Sequence, residues 1–132
     1  MSFFSGFKKV ITAGRVDESI WNIPETENEV DEIFERSSDR PQLIYKHSNS
    51  CSICWFSKSE IESAFESISK YADCHFVNVV RSRPLSNYIA SRSKIIHQSP
   101  QVLIIHNGIA VWNTSHGSIR AYAVLEQLRA LQ

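Results

Sequence analysis

In this chain of 132 residues, residue type and spacing point to chemistry at one place, Cys51-Ser52-Ile53-Cys54. Two thiols three positions apart lie within one helical turn of each other, so the pair can exchange with a disulfide and close on itself. Half a zinc site is the competing use, and it needs two further ligands. No second Cys-x-x-Cys and no His-x-x-x-His occurs, and Cys74 with the dispersed His47, His75, His97, His106 and His116 shows no ligand spacing. Redox use is therefore favoured, with no metal expected. Three cysteines, two of them in one motif, do not form the disulfide framework of a secreted mini-protein, and the reading is cytoplasmic.

The elements around the motif must hold it. Ser19 to Ile23 can open a short strand that Pro24 breaks. Glu25 to Ser38 has an acidic first turn and Val30, Ile33 and Phe34 on one face, which predicts a helix ended by Asp39-Arg40-Pro41. Leu43-Ile44-Tyr45 centres a buried strand from Gln42 to Lys46. The cysteines follow, and Ile61, Phe65 and Ile68 stripe a helix running to about Tyr71. Cys74 to Val80 alternates as a strand, and Pro84 suits the first turn of a helix over Leu85 to Arg92. Gln101 to Ile105 and Ile109 to Trp112 are strands joined at Asn107-Gly108, a strong hairpin signal. Ser118 to Leu131 closes the chain as a helix with Ile119, Tyr122, Leu125 and Leu128 inward. The order is β-α-β-α-β-α-β-β-α, an α/β protein with a central mixed sheet. A βαβ half followed by a ββα half is the thioredoxin plan. The expected division is an N-terminal extension over residues 1–18 and one domain over 19–132. Phe3, Phe4 and Phe7 in the extension read as an arm packed on the domain.

Within that order the two sulfurs are unequal. Cys51 falls after a buried strand and at a helix start, where unbonded N–H groups and the helix dipole favour an anion such as a thiolate. Cys54, one turn on, is shielded by its own helix and suits the resolving role. The structural alternative is that both are small buried hydrophobes, as Cys74 in its strand is expected to be. In Ser99-Pro100-Gln101, the proline opens the strand antiparallel to the Cys51 strand, which places it at the Cys51 end of the sheet.

Lys46-His47-Ser48, Arg83-Pro84-Leu85-Ser86-Asn87-Tyr88-Ile89-Ala90, His97-Gln98-Ser99-Pro100-Gln101-Val102, Ala110-Val111-Trp112 and Ser115-His116 together resemble the monothiol bacilliredoxin family, over roughly residues 20–131. The family pattern at the site is Thr-Cys-Pro-Ile-Ser; Cys51 and Ile53 match it, Ser52 replaces the proline and Cys54 replaces the final serine. The resemblance implies a thioredoxin-like fold with a cis bond before Pro100 facing the reactive sulfur. It also implies that Cys51 removes bacillithiol, a Cys-glucosamine-malate thiol, from mixed disulfides on S-thiolated client proteins. A low-mass thiol is then a co-substrate and no bound cofactor is needed.

Three further segments are expected at the Cys51 end. Arg81 and Arg83 leave the third parallel strand and have forked guanidiniums suited to the malate carboxylates, though surface arginines are as often merely solvated. The Asn113–Gly117 loop brings His116, and Ile95 to Ser99 leads into Pro100. His116 and His47 are candidates for contacting the ligand or biasing the thiolate, with bystander roles as the alternative. Trp55 is expected to be partly exposed along a client groove, and Trp112 to lie in the core.

Fourteen basic and fourteen acidic residues cancel, so no net field gathers nucleic acid or an anionic membrane. No stretch approaches the ~20 apolar residues that span a bilayer. The expected state is a monomer or weak dimer. Beside the bacilliredoxin-like activity stand two alternatives, a generic dithiol disulfide reductase and a non-catalytic binding module on the same fold.

Overall fold

The computed structural model describes residues 16–132. The aromatic arm expected at Phe3, Phe4 and Phe7 lies outside the described residues. Val16 and Trp21 are already buried in the core.

Helix α1 (Glu27–Arg36) begins where Thr26 and Glu29 form a reciprocal capping box: Thr26 Oγ1 accepts the Glu29 N–H at 3.1 Å, and the Glu29 carboxylate accepts the Thr26 N–H at 3.1 Å. Its buried residues are Val30, Ile33 and Phe34, the stripe the spacing predicts. Strand β1 (Gln42–His47) lies inside the sheet, parallel to β2 (Asp73–Asn78) and antiparallel to β3 (Gln101–His106). Strand β4 (Ile109–Ser115) pairs back on β3, giving the order β2-β1-β3-β4. The β3–β4 turn holds Asn107 at φ 53° and Gly108 at φ 82°. Two successive positive φ values are what a tight hairpin matching the sheet twist demands, and Asn-Gly meets that demand at least steric cost.

Alternation in the strands splits the core into two layers. Leu43, Tyr45, Cys74, Phe76, Val102 and Ile104 face Ile61, Ile68, Val124 and Leu128 on one side. Ile44, Val77, Leu103 and Ile105 face Val30, Ile33, Phe34, Leu85 and Ile89 on the other. Helices α2 (Ser52–Ser63), α3 (Phe65–Ile68) and α5 (Ala121–Ala130) therefore cover one face, and α1 with α4 (Arg83–Ser93) the other. Among the described residues no helix is long and apolar enough to cross a membrane.

Five expectations are corrected. The strand expected over Ser19 to Ile23 is a single parallel bridge, Asn22 to His75. The Asp17 carbonyl takes the N–H groups of both Ile20 and Trp21, making a turn where a ladder would begin, and Pro24 has no N–H to extend it. The long helix after the cysteines divides at Ala64 (φ −107°, ψ 12°), a break that nothing in the structure explains; Ile61 and Ile68 on either side are still fully buried. Strand β2 ends at Asn78, whose side chain accepts the N–H groups of Val80 and Arg81 and turns the chain, leaving Val80 exposed. Strand β4 continues to Ser115, opposite Gln101, so Asn113 to Ser115 are strand and only His116–Ser118 form a turn. Tyr122 is 70% exposed. The buried face of α5 is set by Val124 and Leu128, and a residue two positions before Val124 points nearly opposite.

Candidate active site

The C-terminal ends of β1 and β2 and the N-terminal end of β3 meet at one edge of the sheet. Beyond β1 the chain turns through Ser48 to Ser50, and the Cys51 N–H donates to the Ser48 carbonyl at 3.3 Å. Cys51 is then the N-cap of α2, with extended backbone and no side chain capping the helix. The first turn holds no acidic residue. The Cys51 sulfur, half-exposed, is thus the side chain set at the end of a helix dipole beside N–H groups the helix itself cannot bond.

Cys54 is fully buried, its N–H bonded to the Cys51 carbonyl at 3.2 Å and its sulfur 3.7 Å from Ser99 Oγ. Burial pushes its thiol above the ordinary range; the Ser48 backbone and the Ser99 hydroxyl work against that, and the adjacent Cys51 thiol adds to it. No cysteine is in a disulfide. Cys74, far down β2 and 2% exposed, is pushed up to about 12 by burial and is inert.

The segment before β3 lies against this pair. Ser99 is half-buried, Pro100 is buried, and the Ser99–Pro100 peptide is cis. The Pro100 carbonyl accepts the His116 N–H at 3.0 Å, which ties the end of β4 to the same place. His116 is exposed with φ 55°, and Arg81 and Arg83 are exposed just past β2. Neither arginine has a carboxylate partner among the described residues. Trp55 is 39% exposed; its Nε1 donates to the Asn49 carbonyl at 3.2 Å, so the indole pins the turn that presents Cys51.

His47 is fully buried, so its ring presents no surface to a ligand and reaches the sulfurs through its neighbours. Tyr45 Oη donates to the Cys54 carbonyl at 2.7 Å and lies 2.9 Å from His47 Nδ1. A phenol has one proton, and the carbonyl can only accept, so His47 Nδ1 carries a proton and donates to Tyr45. Burial and the nearby Lys58 ammonium push the ring down to about 4, so it is neutral at physiological pH. Trp55 stands edge-on to the ring at 4.8 Å. Burial likewise raises Tyr45 far above the phenol range, keeping it a donor. This buried Tyr45–His47 pair fixes the backbone of Cys54 from below. The alternation of Tyr45 and His47 along β1 puts both on the α2 side, which is the one signal in the sequence that could have found it.

Residues 23–124 match the family model for monothiol bacilliredoxin BrxC. Among solved structures, a thioredoxin-fold protein with a proposed oxidoreductase assignment is 26% identical, with TM-score 0.73 over 85% of this chain and 96% of that one. Oxidised thioredoxin O2 from Arabidopsis thaliana is 18% identical, with TM-score 0.67 over 85% of this chain and 96% of that one. Fasciola hepatica thioredoxin is 14% identical, with TM-score 0.65 over 83% and 98%. The last two likenesses show the shared fold.

Proposed function

The chain belongs to the monothiol bacilliredoxin family and is a thiol-disulfide oxidoreductase of thioredoxin fold, and on that premise we propose that it removes bacillithiol, or a similar low-mass thiol, from cytoplasmic client proteins. The Cys51 thiolate attacks the low-mass sulfur of the client mixed disulfide, forming the Cys51–thiol disulfide. The client thiolate leaves and takes up a proton. Cys54, once deprotonated, attacks the Cys51 sulfur; the low-mass thiolate leaves and the Cys51–Cys54 disulfide forms. Two equivalents of a low-mass thiol, leaving as their own disulfide, or one dithiol reductase that becomes oxidised, must then supply the two electrons that reopen that disulfide.

The observation that carries this reading is the half-exposed Cys51 at the head of α2 with Cys54 buried one turn behind it. Arg81 and Arg83, exposed and without carboxylate partners among the described residues, would receive the malate carboxylates. His116, held by its N–H on Pro100, and Trp55 would flank the bound thiol, with Ser99 and Pro100 behind it. His47 and Tyr45 would support Cys54 from beneath.

The generic dithiol reductase is a second reading, favoured by the presence of Cys54 itself. The two part on Cys54→Ser. That variant keeps removing a low-mass thiol from a client when a second thiol is supplied, and it loses reduction of protein disulfides. Loss of both activities together would favour the generic reductase, and full activity in Cys51→Ser would remove both readings.

A further inference from the structure

Lys46 is fully buried in β1, and among the described residues no carboxylate bonds to it. Lysines are almost never fully buried unless paired, so what holds this one is informative. Its Nζ donates to the Ser86 carbonyl at 3.1 Å and meets His97 Nδ1 at 3.3 Å. Ser86 Oγ lies 3.2 Å from the same ring nitrogen. Ser86 belongs to α4, and His97 to the segment between α4 and β3. An ammonium can only donate, so opposite a charged Lys46 the His97 Nδ1 presents its lone pair and the ring is neutral. Burial disfavours protonation of His97, and the charged groups facing it, Lys46 from β1 and Arg83 from α4, oppose it further.

The segment that His97 belongs to is otherwise anchored at Ile95, which packs on the core and whose N–H donates to Ser93 Oγ at 3.2 Å, and through Gln101. Gln101 Nε2 donates to the Ile96 carbonyl at 3.1 Å, and the Gln98 N–H reaches Gln101 Oε1 at 3.4 Å. Two residues beyond His97 stands Ser99, 3.7 Å from the Cys54 sulfur, and then Pro100. A buried cation therefore sits at one end of a short run of bonds and the active-site sulfur at the other.

We propose that Lys46 and His97 are positioning residues, the buried ammonium clamping residues 96–100 through the His97 ring and so setting Ser99 and Pro100 beside the sulfurs where a client disulfide docks. The proposal rests on the reading of Cys51 as the attacking sulfur. A cation buried without a counter-charge costs stability, and an apolar side chain of similar length relieves that cost. Retaining Lys46 therefore serves the site and not the fold.

The experiment compares Lys46→Met, His97→Ala and His97→Asn with wild type on a peptide held in a mixed disulfide with cysteine. Lys46→Met has a thermal midpoint equal to or above wild type. Its KM nevertheless rises about tenfold while kcat stays within about twofold, the loss expected when the docking segment is displaced and binding weakens without loss of the chemistry. Amide exchange over residues 95–99 quickens while β1 and β3 remain protected. His97→Ala behaves alike, and His97→Asn, whose amide oxygen offers an acceptor near the place of Nδ1, restores most of the KM. Wild-type KM and exchange in both Lys46→Met and His97→Ala would overturn the proposal. So would a KM rise that only tracks a lowered thermal midpoint. If Lys46→Met does not fold, the two His97 variants decide the question. Failure of the Cys51 reading shows separately, as activity kept in Cys51→Ser with the exchange results unchanged.

Discussion

Cys51 is half-exposed at the head of α2, and Cys54 lies fully buried one turn later with Ser99 against its sulfur. A thiolate must form before it can attack, and burial disfavours the charged form. Exposure and charge therefore assign the same order of reactivity: Cys51 first, Cys54 after it, Cys74 last. In a time course with iodoacetamide on the native protein at neutral pH, peptide mapping is expected to find Cys51 modified ahead of Cys54. Cys74 is expected to stay unmodified until the protein unfolds. Modification of Cys54 before Cys51, or of Cys74 alongside it, would contradict the assignment. The cysteines were legible from spacing alone, because a reactive thiol pair announces itself locally. Lys46 was not. It reads as the polar edge of a strand, and its partners Ser86 and His97 lie 40 and 51 residues along the chain. Its alternation with Ile44 does place it on an inward face, and in a strand paired on both sides that is a signal of burial.

At the scale of elements, the parts that hold the site were legible where one local rule decided them. Asn107-Gly108 set the hairpin that pairs β4 back on β3. Pro84 opened α4, and the apolar stripe placed α1, with the Thr26–Glu29 box deciding its first residue. The misreadings arose where tertiary partners outvoted local pattern. Asn22 finds only His75 because a turn at Asp17 consumes the residues a strand would need. Asn113 to Ser115 look like loop residues, yet the ladder from Gln101 carries them as an edge strand, where one row of polar side chains faces water at little cost. That extension matters for the site, since it delivers the His116 N–H to the Pro100 carbonyl.

Over the whole molecule, β1 carries Tyr45, Lys46 and His47 in its last residues before the turn to Cys51, so the sheet's centre and its chemistry are one piece. Two buried histidines make that centre sensitive to acid. His47 is pushed down to about 4 and His75, bonded to Gln42 at 2.7 Å, to about 3, in both cases first by burial. In the unfolded chain each returns to its ordinary 6.5. Between those values the unfolded state binds more protons than the folded one, so stability is full above about pH 6.5 and falls as the pH is lowered. The slope approaches about 1.4 kcal/mol per pH unit for each histidine. Denaturant unfolding at pH 7 and pH 5 measures it, and His75→Gln is expected to flatten the dependence; equal stability at the two pH values would contradict the burial of neutral rings. The central claim is that Cys51 takes the low-mass thiol and Cys54 releases it. Intact mass spectrometry of the chain, quenched at intervals after mixing with an S-bacillithiolated client, tests this most directly. The account predicts one bacillithiol held on Cys51 in the Cys54→Ser variant, and in wild type a passage to the Cys51–Cys54 disulfide with bacillithiol released. A client cleared of bacillithiol at the wild-type rate by Cys51→Ser, or a Cys54→Ser chain that never carries the adduct while the client is cleared, would contradict it.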